Sequence, residues 1–105
     1  MQVNPTELYV VAEALRIRGE LRLSQQQTEA AEADFRDSLA LAQRQGAKAW
    51  ELRSAISLAR LLKERGERTA AQDLLAPIYG WFTEGFDTAD LKDAKTLLHE
   101  LNNRA

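Results

Sequence analysis

Residues 52–79 read LRSAISLARLLKERGERTAAQDLLAPIY. Leu52, Ala55, Ala59 and Leu62 fall on one helical stripe, with Ile56, Leu58 and Leu61 beside them. After Gly66 a second stripe begins at Ala71 and runs through Leu74, Leu75 and Ile78. The 3.6-residue period dominates both halves, and Gly66 stands where a helix must stop. The stretch therefore predicts a hairpin of two helices. Small residues at Ala59 and Ala71 let the two backbones approach, and Leu62, Leu75 and Ile78 fill the space beside them. Each such side chain contributes about 1.5–3 kcal/mol on burial.

Moving upstream by about 40 residues finds the same pattern again. Gly19 takes the place of Ala59, Ala31 that of Ala71, Phe35 that of Leu75, and Ser38-Leu39 close the set. The first helix opens at Asn4-Pro5-Thr6-Glu7: Asn4 can cap, Pro5 suits the first helical position and Glu7 the capping-box acid. It carries two apolar stripes, Leu8, Ala12, Leu15 and Gly19, and Val10, Ala14, Ile17 and Leu21, so it needs neighbours on two sides. Ser24-Gln25-Gln26-Gln27 breaks the stripes. The second helix carries Ala31, Phe35, Ser38, Leu39 and Ala42 and ends at Gly46, a left-handed C-terminal cap.

Downstream, GWFTEGFDTADL (residues 80–91) is either a ligand pocket or a joint. The residues favour a joint, because convergent polar groups are lacking. Trp81 and Phe82 extend the apolar face of the fourth helix, which stops near Gly85. Asp87 is the expected N-cap of the fifth, with Asp90 at its third position on the positive end of the helix dipole. Phe86 and Leu91 have the spacing of a hydrophobic staple. The fifth helix carries Leu91, Ala94, Leu97, Leu98 and Leu101 and frays at Asn102-Asn103.

Composition bounds the class. A chain of 105 residues with 45% hydrophobic and 29% charged content is one soluble globular domain. A net charge of −2 supplies no basic field for nucleic acid or anionic lipid. A mildly positive middle, residues 47–83, lies between negative ends. The absence of cysteine removes disulfides, thiolate metal sites and a Cys nucleophile. No apolar run approaches the ~20 residues that span a bilayer, and MQVNPTELYV lacks the layout of a signal peptide. A cytoplasmic protein with neither nucleic-acid nor membrane partner is expected.

The ordered large and small positions resemble the tetratricopeptide repeat. The resemblance implies an all-α fold of antiparallel helical hairpins wound into a right-handed superhelix of about five helices. Repeat one would cover about 6–45, repeat two about 47–83, and a terminal helix, about 87–102, would cover the exposed face of the fourth. Three features depart from the pattern: Arg22 replaces an aromatic, Arg18 replaces a Leu, and the period is about 40 rather than ~34. The extra residues are expected in the helices or in the Gln-rich turn. Further, RQGAKAWELRSAISLARLLKERGE (44–67) and AQDLLAPIYGWFTEGFDTADLKDAKTLL (71–98) resemble the C-terminal segment of large bacterial signalling proteins. Those proteins join a nucleotide-cyclase or DNA-binding output domain to an AAA-type ATPase and a tetratricopeptide-like tail. The resemblance implies a C-terminal fragment or a stand-alone relative, and it transfers no cyclase or ATPase activity to any residue here. A long coding region upstream of Met1 would favour the tail, and a native start at Met1 an adaptor.

No GxGxxG, P-loop, HExxH or GxSxG occurs. His99 lies between Leu98 and Leu101 without a nucleophile or an orienting partner, so it reads as a rim histidine. Glu29, Glu32, Asp34 and Asp37 read as a solvated acidic face of the second helix, with Arg36 neutralising Glu32. No enzyme activity, metal or cofactor is expected. Arg53, Ser57, Arg60 and Lys63 share one face of the third helix, at places that in tetratricopeptide arrays often line the concave groove. A partner's acidic or C-terminal carboxylate could pair with Arg53 and Arg60. The same row also reads as a plain charged face, and repeat one offers Glu13 and Glu20 in place of matching bases.

The expected function is a non-catalytic protein–protein interaction module, the regulatory or sensor C-terminal part of a bacterial signalling protein. The alternatives are a stand-alone adaptor or a small-ligand-binding helical domain with a pocket around Tyr79, Trp81 and His99. Val10, Ala14, Ile17 and Leu21 are expected to stay exposed on the first helix. That face would meet another copy, or the upstream repeats of a longer chain.

Overall fold

The computed structural model describes residues 5–83 and 88–102, with side chains from residue 10 onward. Five helices follow one another: α1 (Pro5–Ser24), α2 (Thr28–Arg44), α3 (Lys48–Glu64), α4 (Arg68–Gly80) and α5 (Ala89–Asn102). No strand occurs among the described residues, so the fold is all-α as expected. Pro5 opens α1. The expectations for Asn4, for Gly85, Phe86 and Asp87, for Asn103, and for the side chains of Glu7 and Leu8 lie outside the described residues and side chains.

Consecutive helices run antiparallel. The Ser38 hydroxyl donates to the Ala12 carbonyl at 2.6 Å, and Arg18 reaches Asp34 at 2.7 Å, so α2 descends as α1 rises. Three connectors of three residues each make the reversals, and they share one geometry. Their middle residues, Gln26, Gly46 and Gly66, have φ of 63°, 64° and 80°. The following N–H of Gln27, Ala47 and Glu67 donates to the carbonyl of Arg22, Ala42 and Leu62 at 2.8, 2.9 and 2.8 Å. The middle N–H closes the inner bond, to Leu23, Gln43 and Lys63 at 3.0, 3.1 and 3.0 Å. This is the Schellman arrangement, which satisfies carbonyls that the last helical turn leaves open. The long repeat therefore resides in the helices, 17 residues each in α2 and α3, and not in an enlarged glutamine turn.

The hairpins stack side by side. Helix α3 touches all four other helices, α1 touches only α2 and α3, and α5 touches only α3 and α4. The odd-numbered helices contact one another in succession, whereas α2 and α4 do not meet. A closed four-helix barrel is excluded by this pattern. The molecule measures 51 × 36 × 19 Å, and the shortest dimension is two helix diameters, so it is a two-layer slab.

The core follows the small-and-large pattern. Ala31, Phe35, Ala59, Ala71 and Leu75 are all fully buried. Gly19 is needed for close approach: a Cβ there would lie 2.6 Å from Phe35 Cε1 and 3.2 Å from the Ala31 carbonyl oxygen. Leu91, Ala94, Leu97 and Leu101 of α5 complete the same cluster. A polar seam crosses it where the Ser38 and Ser54 hydroxyls meet at 2.7 Å.

Three local expectations are corrected. Helix α4 ends at Gly80 rather than near Gly85, after Pro77 has removed one helical N–H and Gly80 has added its low propensity. Phe82 packs on the core from outside the helix, and Trp81 is 58% exposed. At the start of α5, Leu91 N donates to Thr88 Oγ1 at 3.4 Å and Lys92 N to the Thr88 carbonyl at 3.0 Å. Thr88 is thus the capping residue, and Asp90 stands at the second helical position. Finally, Asp34 is not part of a solvated face. It is 2% exposed and accepts hydrogen bonds from Arg18 and Arg22. The two arginines that depart from the repeat pattern are those that hold it. Arg36 does pair with Glu32, at 2.7 Å.

Candidate functional site

The α3 row is brought together, but its charge is already engaged within the chain. Arg53 donates from Nη1 to Glu13 Oε2 of α1 at 2.9 Å, and from Nη2 to Asp90 Oδ2 of α5 at 3.1 Å. Its guanidinium also lies 4.7 Å from the Trp50 ring centroid. Lys63 Nζ reaches Glu100 Oε1 at 3.2 Å, and Arg60 Nη2 stands 3.8 Å from Asp93 Oδ2. Ser57 is buried, at the wall of a cavity of about 150 Å³ that Arg16, Arg60 and Asp93 also line. The row is therefore a polar seam fastening α1 and α5 to α3. Arg60 is its most loosely held cation, because both partners are more than half exposed and pairs of that kind contribute about 0–1 kcal/mol.

The electrostatics match this geometry. Hydrogen bonding to Arg16, aided by Arg53, holds the Glu13 carboxyl below its ordinary value of 4.5 against the opposing effect of burial. For Arg53, burial works against the charge, and the bonds to Asp90 and Glu13 outweigh it, raising its proton affinity. Among the described residues no group of three or more His, Asp or Glu side chains is placed to hold a metal ion.

The second candidate surface is one face of α1. Val10 is 62% exposed, Ile17 48% and Leu21 56%, and Ala14 lies exposed between them. Val11, which the periodicity did not single out, adds another 46%-exposed side chain. The α3 counterparts of Val11, Ala14, Arg18 and Leu21 are Glu51, Ser54, Leu58 and Leu61, and all four are buried. Two of them touch α2 directly, through Ser54–Ser38 and Glu51–Gln43. The Val11 and Ala14 part of the α1 face therefore corresponds to one that α3 covers with α2, whereas Val10 and Ile17 correspond to Trp50 and Ser57, and Arg18 is already bonded to Asp34 of α2.

Tyr79, Trp81 and His99 do not form a pocket together. His99 is exposed and edges a cleft between α4 and α5 of about 560 Å³, lined by Gln72, Ala76, Lys95 and Leu98. Trp81 lines a different cleft, at the meeting of α2, α3 and α4. No helix among the described residues is long and apolar enough to cross a membrane. The chain matches no protein-family profile, no characterised protein and no solved structure.

Proposed function

We propose that the chain is a non-catalytic helical-repeat module that binds other proteins, a tetratricopeptide-like superhelix serving as the regulatory C-terminal part of a bacterial signalling protein. The observation that carries the reading is the uncovered apolar face of α1. Contiguous exposed apolar side chains on an otherwise packed domain mark interaction surfaces. Part of the face, at Val11 and Ala14, also repeats positions that α3 buries against α2. A helix of the α2 kind, from a second copy or from an upstream repeat, fits it. The likeness of residues 44–67 and 71–98 to signalling-protein tails supports the regulatory assignment.

Sedimentation equilibrium across a concentration series tests the surface. Self-association that Ile17→Glu abolishes supports a second copy. A monomer at all concentrations moves the occupant to a preceding segment. Hydrogen exchange at residues 10–21 in the chain expressed with its upstream coding sequence then decides. If those amides exchange as fast there as in the 105-residue chain, the interface reading fails.

A further inference from the structure

Helices α2, α3 and α4 enclose a cleft of about 360 Å³ whose polar wall is Glu51. Glu51 is 6% exposed. Its Oε2 accepts a hydrogen bond from Gln43 Nε2 at 3.3 Å, but Oε1 is buried and receives none. Lys48 Nζ comes to 3.4 Å of Oε1, within ion-pair range yet without a hydrogen bond. The same amine lies 5.2 Å from the centroid of the Trp81 ring. Trp81 is held edge-on by Phe82, with ring centroids 5.2 Å apart, and still shows most of its surface. Pro77 and Ile78 supply an apolar bank, and Asp73 adds a second carboxylate that forms no ion pair among the described residues.

Buried carboxylates almost always satisfy both oxygens, and one that does not needs a reason. The 40-residue counterpart of Glu51 is Val11, so the acid is not part of the repeat pattern. The cleft has two carboxylates for one lysine. It combines an indole face on which Lys48 rests, an aliphatic bank and a buried carboxylate oxygen that Lys48 approaches without a hydrogen bond. Those features match a guanidinium group, which stacks on an aromatic face and donates in a fork to a carboxylate while its stem lies on apolar surface.

We propose that this cleft receives an arginine side chain of a partner protein, with Lys48 as the resident cation that it displaces. The inference rests on reading the chain as an interaction module, but it uses a surface remote in sequence from the α1 face.

The test is a titration of the 105-residue chain with N-acetyl-arginine amide, following the Trp81 indole N–H by NMR. A saturable shift is expected, with no shift from the neutral citrulline analogue. Glu51→Gln should weaken the apparent affinity by about tenfold or more, the scale of a lost charged hydrogen bond. Asp73→Asn, at an exposed position, should weaken it less. Lys48→Met should tighten it, because the competitor is gone; a cleft with only a structural role predicts no gain there. Equal response to citrulline, no saturable shift, or indifference to both Glu51→Gln and Lys48→Met overturns the proposal. Ile17→Glu on α1 should leave the titration unchanged, so failure here is distinct from failure of the α1 interface.

Discussion

Glu13 and Arg53 occupy the same place in successive repeats, 40 residues apart, and they meet at 2.9 Å. The contact exists because α1 and α3 lie side by side in the same direction, so equivalent positions face each other. An acid in one repeat answers a base in the next. Asp90, at the start of α5, takes the other side of the same guanidinium. A line of alternating charge thereby ties the odd-numbered helices together.

This line, together with the Glu32 pairs to Arg36 and Arg65, makes stability depend on acid. Glu13 is depressed below its ordinary 4.5 first by Arg16, and Glu32 first by Arg65 and then by Arg36. A carboxylate whose folded value is depressed contributes stability that is fully present above its unfolded value and is lost as pH falls through the folded one. Urea midpoints should therefore hold steady down to about pH 5 and drop through the window below 4.5. The Glu13→Gln, Glu32→Gln double variant should show a shallower acid limb.

Asp34 with Arg18 and Arg22 stands where repeat two has Leu74 with Leu58 and Leu62. Asp34→Ala should cost about 1.5–3 kcal/mol, the scale of hydrogen bonds to a charged group, since both arginines retain access to water. Replacing all three by leucine should be neutral or stabilising by about 1–4 kcal/mol, because packed apolar groups commonly outperform buried ions. Chemical denaturation of the two variants checks the contrast in sign.

Gly19→Ala places a methyl 2.6 Å from the Phe35 ring, so a loss of about 1–3 kcal/mol from overpacking is expected. Repeat two pairs Ala59 with Leu75 at the same places. The Gly19→Ala, Phe35→Leu double variant should consequently be more stable than the sum of the single changes. A double-mutant cycle measures that coupling.

Gln26 holds φ of 63° where the other two connectors have glycine. A side chain in the left-handed region costs roughly 1–2 kcal/mol. Gln26→Gly should raise stability by about 0.5–1 kcal/mol, and Gly66→Gln, at φ 80°, should lower it by a similar amount. Thermal melts of the pair should move in opposite directions.

Five helices, their apolar faces and the stops at Gly46 and Gly66 were legible because period and glycine report backbone geometry directly. The exposed face of α1 was legible too, since two stripes exceeded the neighbours available. Gln26 was not, because a glutamine in a left-handed turn carries no compositional mark and only the repeat reveals it. Asp34 read as solvated because three nearby acids share its helix, and its burial depends on two arginines from another helix. The partners of the α3 row come from α1 and α5, and pairings between helices leave no periodic trace. The end of α4 is not legible in the pattern, because Pro77 and Gly80 weaken a helix whose apolar face the aromatic residues continue. Glu51 is hidden for the opposite reason: one acid at the start of a helix looks like dipole compensation.

Helix α3 is the one element in contact with every other. A fault introduced there cannot remain local. Fraying of α1 or of α5 leaves a hairpin and its neighbour standing, whereas loss of α3 leaves α1–α2 and α4–α5 as two fragments with nothing to join them. Tolerance to substitution should thus fall from both ends of the chain toward the middle.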